Sequence, residues 1–75
     1  MFVFPGIAKD ILQVILEAQD AGKPIALRDA LKRWGNGSTW EDLVDGGYIY
    51  RREDGGVFAT QLGRSWYEAR AGIAS

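Results

Sequence analysis

The stretch that decides the fold is LVDGGYIYRREDGGVFATQLGR, residues 43–64. It opens on the apolar end of a helix, and Gly46-Gly47 predicts the end of that helix because glycine adopts the left-handed conformation without a Cβ penalty. The β-branched and aromatic residues at 48–50 and 57–58 predict two strands. Asp54-Gly55 between them is typical of a hairpin turn with positive φ at both central residues. The stretch therefore predicts a helix followed by a β-hairpin.

A further helix is predicted after the hairpin, because Thr60 is a residue type that caps helix N-termini. With that helix, the stretch resembles the C-terminal half of prokaryotic winged helix-turn-helix regulators of the MarR, PadR and ArsR groups. In those proteins a recognition helix ends in Leu-x-x-x-Gly, a strand of the type Tyr/Leu-Ile-x-Arg-Arg enters the wing, and Thr-x-x-Gly-Arg opens the last helix. The matching residues here are Leu43 with Gly47, residues 48–52 and residues 60–64.

The resemblance implies an α+β, mostly helical fold for the whole chain. This fold is a winged helix with three N-terminal helices, a two-stranded β-hairpin wing at residues 48–59 and a C-terminal helix. Residues 1–75 would form a single winged-helix domain with an apolar N-terminal arm at residues 1–5. The resemblance also implies a small DNA-binding protein, a transcriptional regulator of a phage or a prokaryotic host. Its third helix would enter the major groove of double-stranded DNA, and its wing would contact the backbone or the minor groove.

Hydrophobic periodicity predicts the first helix over residues 7–21. Apolar residues recur along it at helical spacing, and they define a stripe that should face the core. That stripe consists of Ile7, Ile11, Leu12, Val14, Ile15, Leu16 and Ala18. Gly22 ends the helix, and Ile25 is expected to form a very short strand.

Three shorter helices are predicted at residues 27–34, 38–45 and 61–72. Ser38 and Glu41 match a capping box, in which the serine hydroxyl accepts from the N–H of the third residue and the glutamate reaches back. Trp40 is predicted to lie in the core on its helical spacing. Gly63 suggests close packing of the last helix against a neighbour. The apolar stripe of that helix is expected to be Leu62, Trp66, Ala69 and Ile73.

Basic residues outside the apolar stripes are the candidates for DNA contacts. The second helix carries the densest cluster, although a solvated helix face explains that cluster equally well. Two arginines near the wing tip should be exposed, and the resemblance adds the first residues of the third helix. The predicted DNA-binding set is Arg28, Lys32, Arg33, Ser38, Thr39, Arg51 and Arg52.

The third helix departs from the regulators in length and in charge. It is one or two turns shorter, and residues 35–47 contain Glu41, Asp42 and Asp45 but no Lys or Arg. Such carboxylates repel phosphates, since two unit charges about 8 Å apart cost roughly 2 kcal/mol at an effective dielectric of 20. They support an alternative function. In this alternative the protein is a protein-binding winged helix, a phage accessory protein or inhibitor, whose acidic helix meets a basic surface of a host protein.

Composition argues against several other classes. The chain has no His and no Cys, which removes the usual general base, the thiol nucleophile and most metal sites; neither catalysis nor a cofactor or metal is expected. The net charge is −1, whereas nucleic-acid binders usually carry a basic excess. The longest apolar stretch, residues 7–18, is too short and too charged to span a membrane. A cytoplasmic chain, complete from Met1, is expected.

Two segments are candidates for a homodimer contact. The apolar residues Phe2, Val3 and Phe4 either pack on the domain as an extended arm or mark an interface between copies. The last helix often carries the dimer contact in related regulators. Trp66 and Tyr67 would supply it here, with burial of Trp66 against the first helix as the alternative.

Overall fold

The computed structural model describes residues 2–72 and shows an α+β fold with four helices and a three-stranded antiparallel sheet in that range. Ile73, which was predicted to extend the stripe of the last helix, lies outside the described residues. In chain order the elements are α1 (Pro5–Asp20), β1 (Ile25–Ala26), α2 (Leu27–Trp34), α3 (Ser38–Asp45), β2 (Ile49–Arg51), β3 (Gly56–Ala59) and α4 (Gln61–Ala71).

The sheet has the strand order β1-β3-β2, and both pairings are antiparallel. Directly opposed residues of an antiparallel pair share one face of the sheet. Ile49 lies opposite Ala59 and both are buried, which confirms the prediction that Ile49 faces the core. Tyr50 lies opposite Phe58 on the other face, where their rings stack with centroids 5.7 Å apart.

The hairpin turn differs from the one predicted. Gly55 has φ of 89°, but no residue other than glycine has positive φ among those described, so Asp54 does not take the expected left-handed conformation. The Gly55 N–H donates to the Arg52 carbonyl (3.0 Å), and the Arg52 N–H donates to the Gly56 carbonyl (2.8 Å). Residues 53–55 therefore form a three-residue loop with glycine at its left-handed position. The Asp54 carboxylate accepts a hydrogen bond from the Gly56 N–H at 2.9 Å.

The buried face of α1 forms the centre of the core. It consists of Ala8, Ile11, Leu12, Ile15 and Leu16. Ile7 is 49% exposed and Val14 and Ala18 are only half-buried, so the predicted stripe was wrong at its edges. The buried face of α1 is the one that the sheet, α3 and α4 contact, and Ile7, Val14 and Ala18 lie at or beyond its edge.

The predicted stripe of α4 was also wrong, because Leu62 and Ala69 are exposed. Gly63 is buried instead, and a Cβ at this position would overlap the Tyr48 carbonyl oxygen. The close packing predicted for Gly63 is therefore confirmed. This contact turns α4 so that Trp66 packs on the core with its ring centroid 6.2 Å from that of Tyr48.

The two predicted N-terminal caps have opposite outcomes. The Thr60 hydroxyl accepts from the Gly63 N–H (3.1 Å) and donates to the Gly47 carbonyl (2.6 Å), so Thr60 caps α4 as predicted. The capping box at Ser38 is wrong, because α3 begins at Ser38 itself and Gly37 is its N-cap, with no side-chain hydrogen bond. The Gly37 N–H donates to the Trp34 carbonyl (3.0 Å), and this tight turn places the glycine in the cap position.

The N-terminal arm is partly packed and partly exposed. Phe2 is buried, with ring centroids 4.9 Å from Tyr48 and 5.0 Å from Trp66. Val3 is 73% exposed and Phe4 is 52% exposed. The packed-arm interpretation therefore holds for Phe2, while the two residues after it present an apolar surface.

Candidate interaction surfaces

The basic residues predicted from the sequence are exposed and belong to two neighbouring elements. The Leu27 N–H donates to the Gly55 carbonyl at 2.7 Å, so the start of α2 lies against the hairpin loop. Arg28 in the first turn of α2 is thereby brought to the same end of the sheet as the hairpin arginines. We use the name basic surface for the exposed cations of α2 and of the hairpin together, which are Arg28, Lys32, Arg33, Arg51 and Arg52.

The five cations of the basic surface differ in their availability. Arg52 forms an ion pair with Asp54 (3.2 Å) and its guanidinium lies 4.7 Å from the Phe58 ring centroid. Arg33 lies 5.7 Å from the ring centroid of Trp34. The other three form no ion pair with any side chain of residues 2–72, and they are Arg28, Lys32 and Arg51.

The first turn of α3 offers less surface than the resemblance implied. Ser38 is exposed, but Thr39 is only 5% exposed and Trp40 is buried, as predicted for Trp40. The burial of Thr39 counts against a DNA contact by its side chain, and its place in the DNA-binding set stays a prediction. Its side chain lies on the face of α3 that turns inward, whereas Ser38 precedes it on the outer face.

The carboxylates of α3 form an acidic surface, which consists of Glu41, Asp42 and Asp45. Glu41 and Asp45 are exposed and Asp42 is half-buried. None of the three is in an ion pair within the described range. The last turn of α3 contains no basic residue, so the negative end of the helix dipole meets uncompensated negative charge, which is unfavourable.

An apolar cleft of about 330 Å³ opens between the N-terminal part of α1 and the turn that joins α2 to α3. Trp34 and Trp40 stack on one side of it, with ring centroids 6.1 Å apart and planes inclined at 21°. The cleft is lined by Phe4, Ile7, Ile11, Arg33, Trp34, Asn36, Gly37, Ser38, Thr39 and Trp40. Sequence reasoning missed it; the only signal was an apolar arm adjacent to Ile7.

A bidentate ion pair joins α1 to α4. Arg64 donates to the two carboxylate oxygens of Asp20 at 2.7 Å and 3.3 Å. The hydrogen bond from Arg64 lowers the pKa of Asp20, and the same bond raises the pKa of Arg64. No pattern in the sequence predicts this pair, because the two residues lie on different helices.

Comparison with known proteins identifies no relative of this chain. The chain matches no model of a protein family, no curated protein and no solved structure. Within residues 2–72 no helix combines the length and the apolar character needed to cross a membrane. Over the same residues no three acidic side chains converge on a point where they would hold a metal ion.

Proposed function

We propose that this protein is a small winged-helix DNA-binding protein, a transcriptional regulator of a phage or a prokaryotic host. The observation that carries the proposal is the hydrogen bond between Leu27 and Gly55, which sets the start of α2 beside the hairpin loop. In the proposed fold, α1, α2 and α3 are the three N-terminal helices and β2–β3 is the wing. The element order within residues 2–72 is compatible with it.

The proposed binding mode depends on phosphate contacts. Arg28, Lys32 and Arg51 are exposed cations without ion-pair partners among the described side chains, and such residues position a protein on DNA without reading its sequence. Base readers are usually Arg, Lys, Asn or Gln, and α3 contains none of them. We therefore expect affinity for double-stranded DNA with little sequence preference.

The experiment is fluorescence anisotropy of a labelled random-sequence duplex at low and at physiological salt. We expect binding that weakens steeply with salt, because counterions are released from the phosphates. The double variant Arg28→Glu with Arg51→Glu should abolish it. The double variant Asp42→Lys with Asp45→Lys is the matched control and should retain it or bind more tightly. Absence of binding at low salt would reject the proposal.

The acidic surface of α3 favours a second candidate function, in which the protein binds a basic surface of a host protein. Asp42 and Asp45 lie in the last turns of α3, where negative charge opposes the helix dipole, and a cationic partner would relieve that repulsion. Under this alternative, Asp42→Lys with Asp45→Lys abolishes capture of the partner, while Arg28→Glu with Arg51→Glu leaves it intact. The two pairs of variants therefore separate the two functions.

A further inference from the structure

The cleft beside α1 has walls suited to a hydrocarbon body. Phe4, Ile7 and the stacked pair Trp34–Trp40 supply aromatic and aliphatic surface. Its volume of about 330 Å³ falls within the range of small-molecule sites, which are mostly apolar with a few convergent polar groups. Phe4 and Ile7 are about half exposed, so an occupant would remove apolar surface from water.

The polar groups of the cleft favour a negative charge. The cleft is lined by Gly37 and the first residues of α3, and no side chain caps that helix. The first N–H groups of a helix have no acceptor within it and carry the positive end of the dipole. The Arg33 side chain lines the same cleft and is held over the Trp34 ring. Glu41, the first carboxylate along α3, is exposed and does not line the cleft.

Thr39 adds a polar side chain to the lining of the cleft. It lines the cleft and is 5% exposed, yet its hydroxyl takes part in none of the side-chain hydrogen bonds within residues 2–72. In the same range, no fully enclosed side-chain oxygen or nitrogen lacks a partner. The Thr39 hydroxyl is therefore not fully enclosed, and because Thr39 lines the cleft we infer that this hydroxyl is available to donate to an occupant.

From these three features we propose that the cleft binds a small organic anion with an apolar body, a carboxylate carried on an aliphatic chain or on an aromatic ring. The apolar body would lie against Phe4, Ile7 and the two tryptophans. The carboxylate would accept hydrogen bonds from the N–H groups at the start of α3, from the Thr39 hydroxyl and from Arg33 at the rim. This site shares Arg33 with the basic surface, but its occupant is not DNA and its binding does not depend on the function proposed above.

The test is a proton–nitrogen NMR titration of the whole chain at pH 7 and low salt. Sodium octanoate is the aliphatic probe, 2-naphthoate is the aromatic one, and 1-octanol is the uncharged control. We expect saturable shifts of the indole N–H signals of Trp34 and Trp40 and of the Thr39 amide. The Trp66 indole packs against Phe2 and Tyr48, away from the cleft, so its N–H signal should not shift. A response to only one of the two acids identifies the kind of body that the cleft accepts.

Two variants isolate the anion contacts. Arg33→Gln and the near-isosteric Thr39→Val should each weaken binding of the acid roughly tenfold, as expected for the loss of a charge-assisted hydrogen bond. Both should leave the affinity for octanol unchanged. Arg33 is exposed, so its variant keeps the fold. Equal affinity for octanoate and octanol, an undiminished affinity in both variants, or shifts centred on Trp66 would each overturn the proposal.

Discussion

The carbonyl oxygen of Tyr48 lies so close to Gly63 that a Cβ on residue 63 would overlap it. The same carbonyl accepts a hydrogen bond from the Thr60 N–H at 3.0 Å. The entry to β2 and the first turn of α4 are thus joined backbone to backbone. A side chain larger than hydrogen at position 63 would force these two elements apart.

Gly63→Ala is therefore expected to destabilise the protein. The added methyl group must displace the backbone at Tyr48. Such overpacking lowers the free energy of unfolding by about 1–3 kcal/mol, which exceeds the gain from the higher helix propensity of alanine. Urea unfolding followed by tryptophan fluorescence measures the change. Gly6→Ala is the matched control, because Gly6 is also helical and a Cβ there has nothing within 4 Å; it should keep the stability or raise it slightly through the gain in helix propensity. Equal stabilities of the two variants would contradict the packing described here.

The hydroxyl of Thr60 is predicted to stabilise the junction between the hairpin and α4. Thr60→Val keeps the shape of the side chain but removes the acceptor for the Gly63 N–H and the donor to the Gly47 carbonyl. Loss of an N-cap lowers the free energy of unfolding by about 1 kcal/mol. Thr60→Ser keeps the hydroxyl and should retain most of the stability. Thermal unfolding of both variants measures the difference, and a serine variant as unstable as the valine variant would argue against the cap.

The contribution of the Asp20–Arg64 ion pair should depend on pH. The hydrogen bond from Arg64 lowers the pKa of Asp20 in the folded state, so the stabilisation is present above the ordinary pKa of an unfolded aspartate, about 3.9. It is lost as the pH falls below that value and through the lowered folded pKa. Asp20→Asn should be less stable than the wild type at pH 7 and should match it at the acid end. Because the pair is exposed, salt should reduce the difference at pH 7. A pH-independent difference would assign the effect to something other than this pair.

The arginines of the hairpin are predicted to contribute unequally to DNA binding. Arg51 has no ion-pair partner among the described side chains, whereas Arg52 is held by Asp54 at 3.2 Å. Removing a phosphate contact lowers the slope of log affinity against log salt by about 1. We expect that reduction for Arg51→Ala and a smaller one for Arg52→Ala, measured by anisotropy over a series of salt concentrations. Arg70→Ala, on α4 outside the basic surface, is the control and should leave the slope unchanged.

Element boundaries were predictable because glycine and proline mark them. The predicted bounds of α2 and α3 match the structure, and Gly47 has the positive φ expected after a helix. The start of α1 lies at Pro5, two residues before the predicted one, since proline is favoured in the first helical turn. These features depend on local conformational preferences, which a sequence displays directly.

The orientation of each helix was less predictable. Periodicity identifies an apolar stripe, but the face that is covered depends on neighbours distant in sequence. Leu62 is exposed because the next residue, Gly63, packs against Tyr48. Ile7 is exposed because the adjacent residue Ala8 faces the core in its place. The cleft required the same information, since Phe4 and Trp34 meet only in three dimensions. DNA binding, inferred from a local resemblance and exposed arginines, stays a prediction.

The burial of Phe2 between Tyr48 and Trp66 has a consequence for synthesis on the ribosome. Translation proceeds at about 5–20 residues per second, so Phe2 is synthesised seconds before Trp66, the last of its partners. During that interval α1 would expose the apolar face that the sheet and α4 later cover. The aromatic cluster is therefore expected to form only after Trp66 has been synthesised, and until then the apolar face of the nascent α1 is open to chaperones that bind apolar segments.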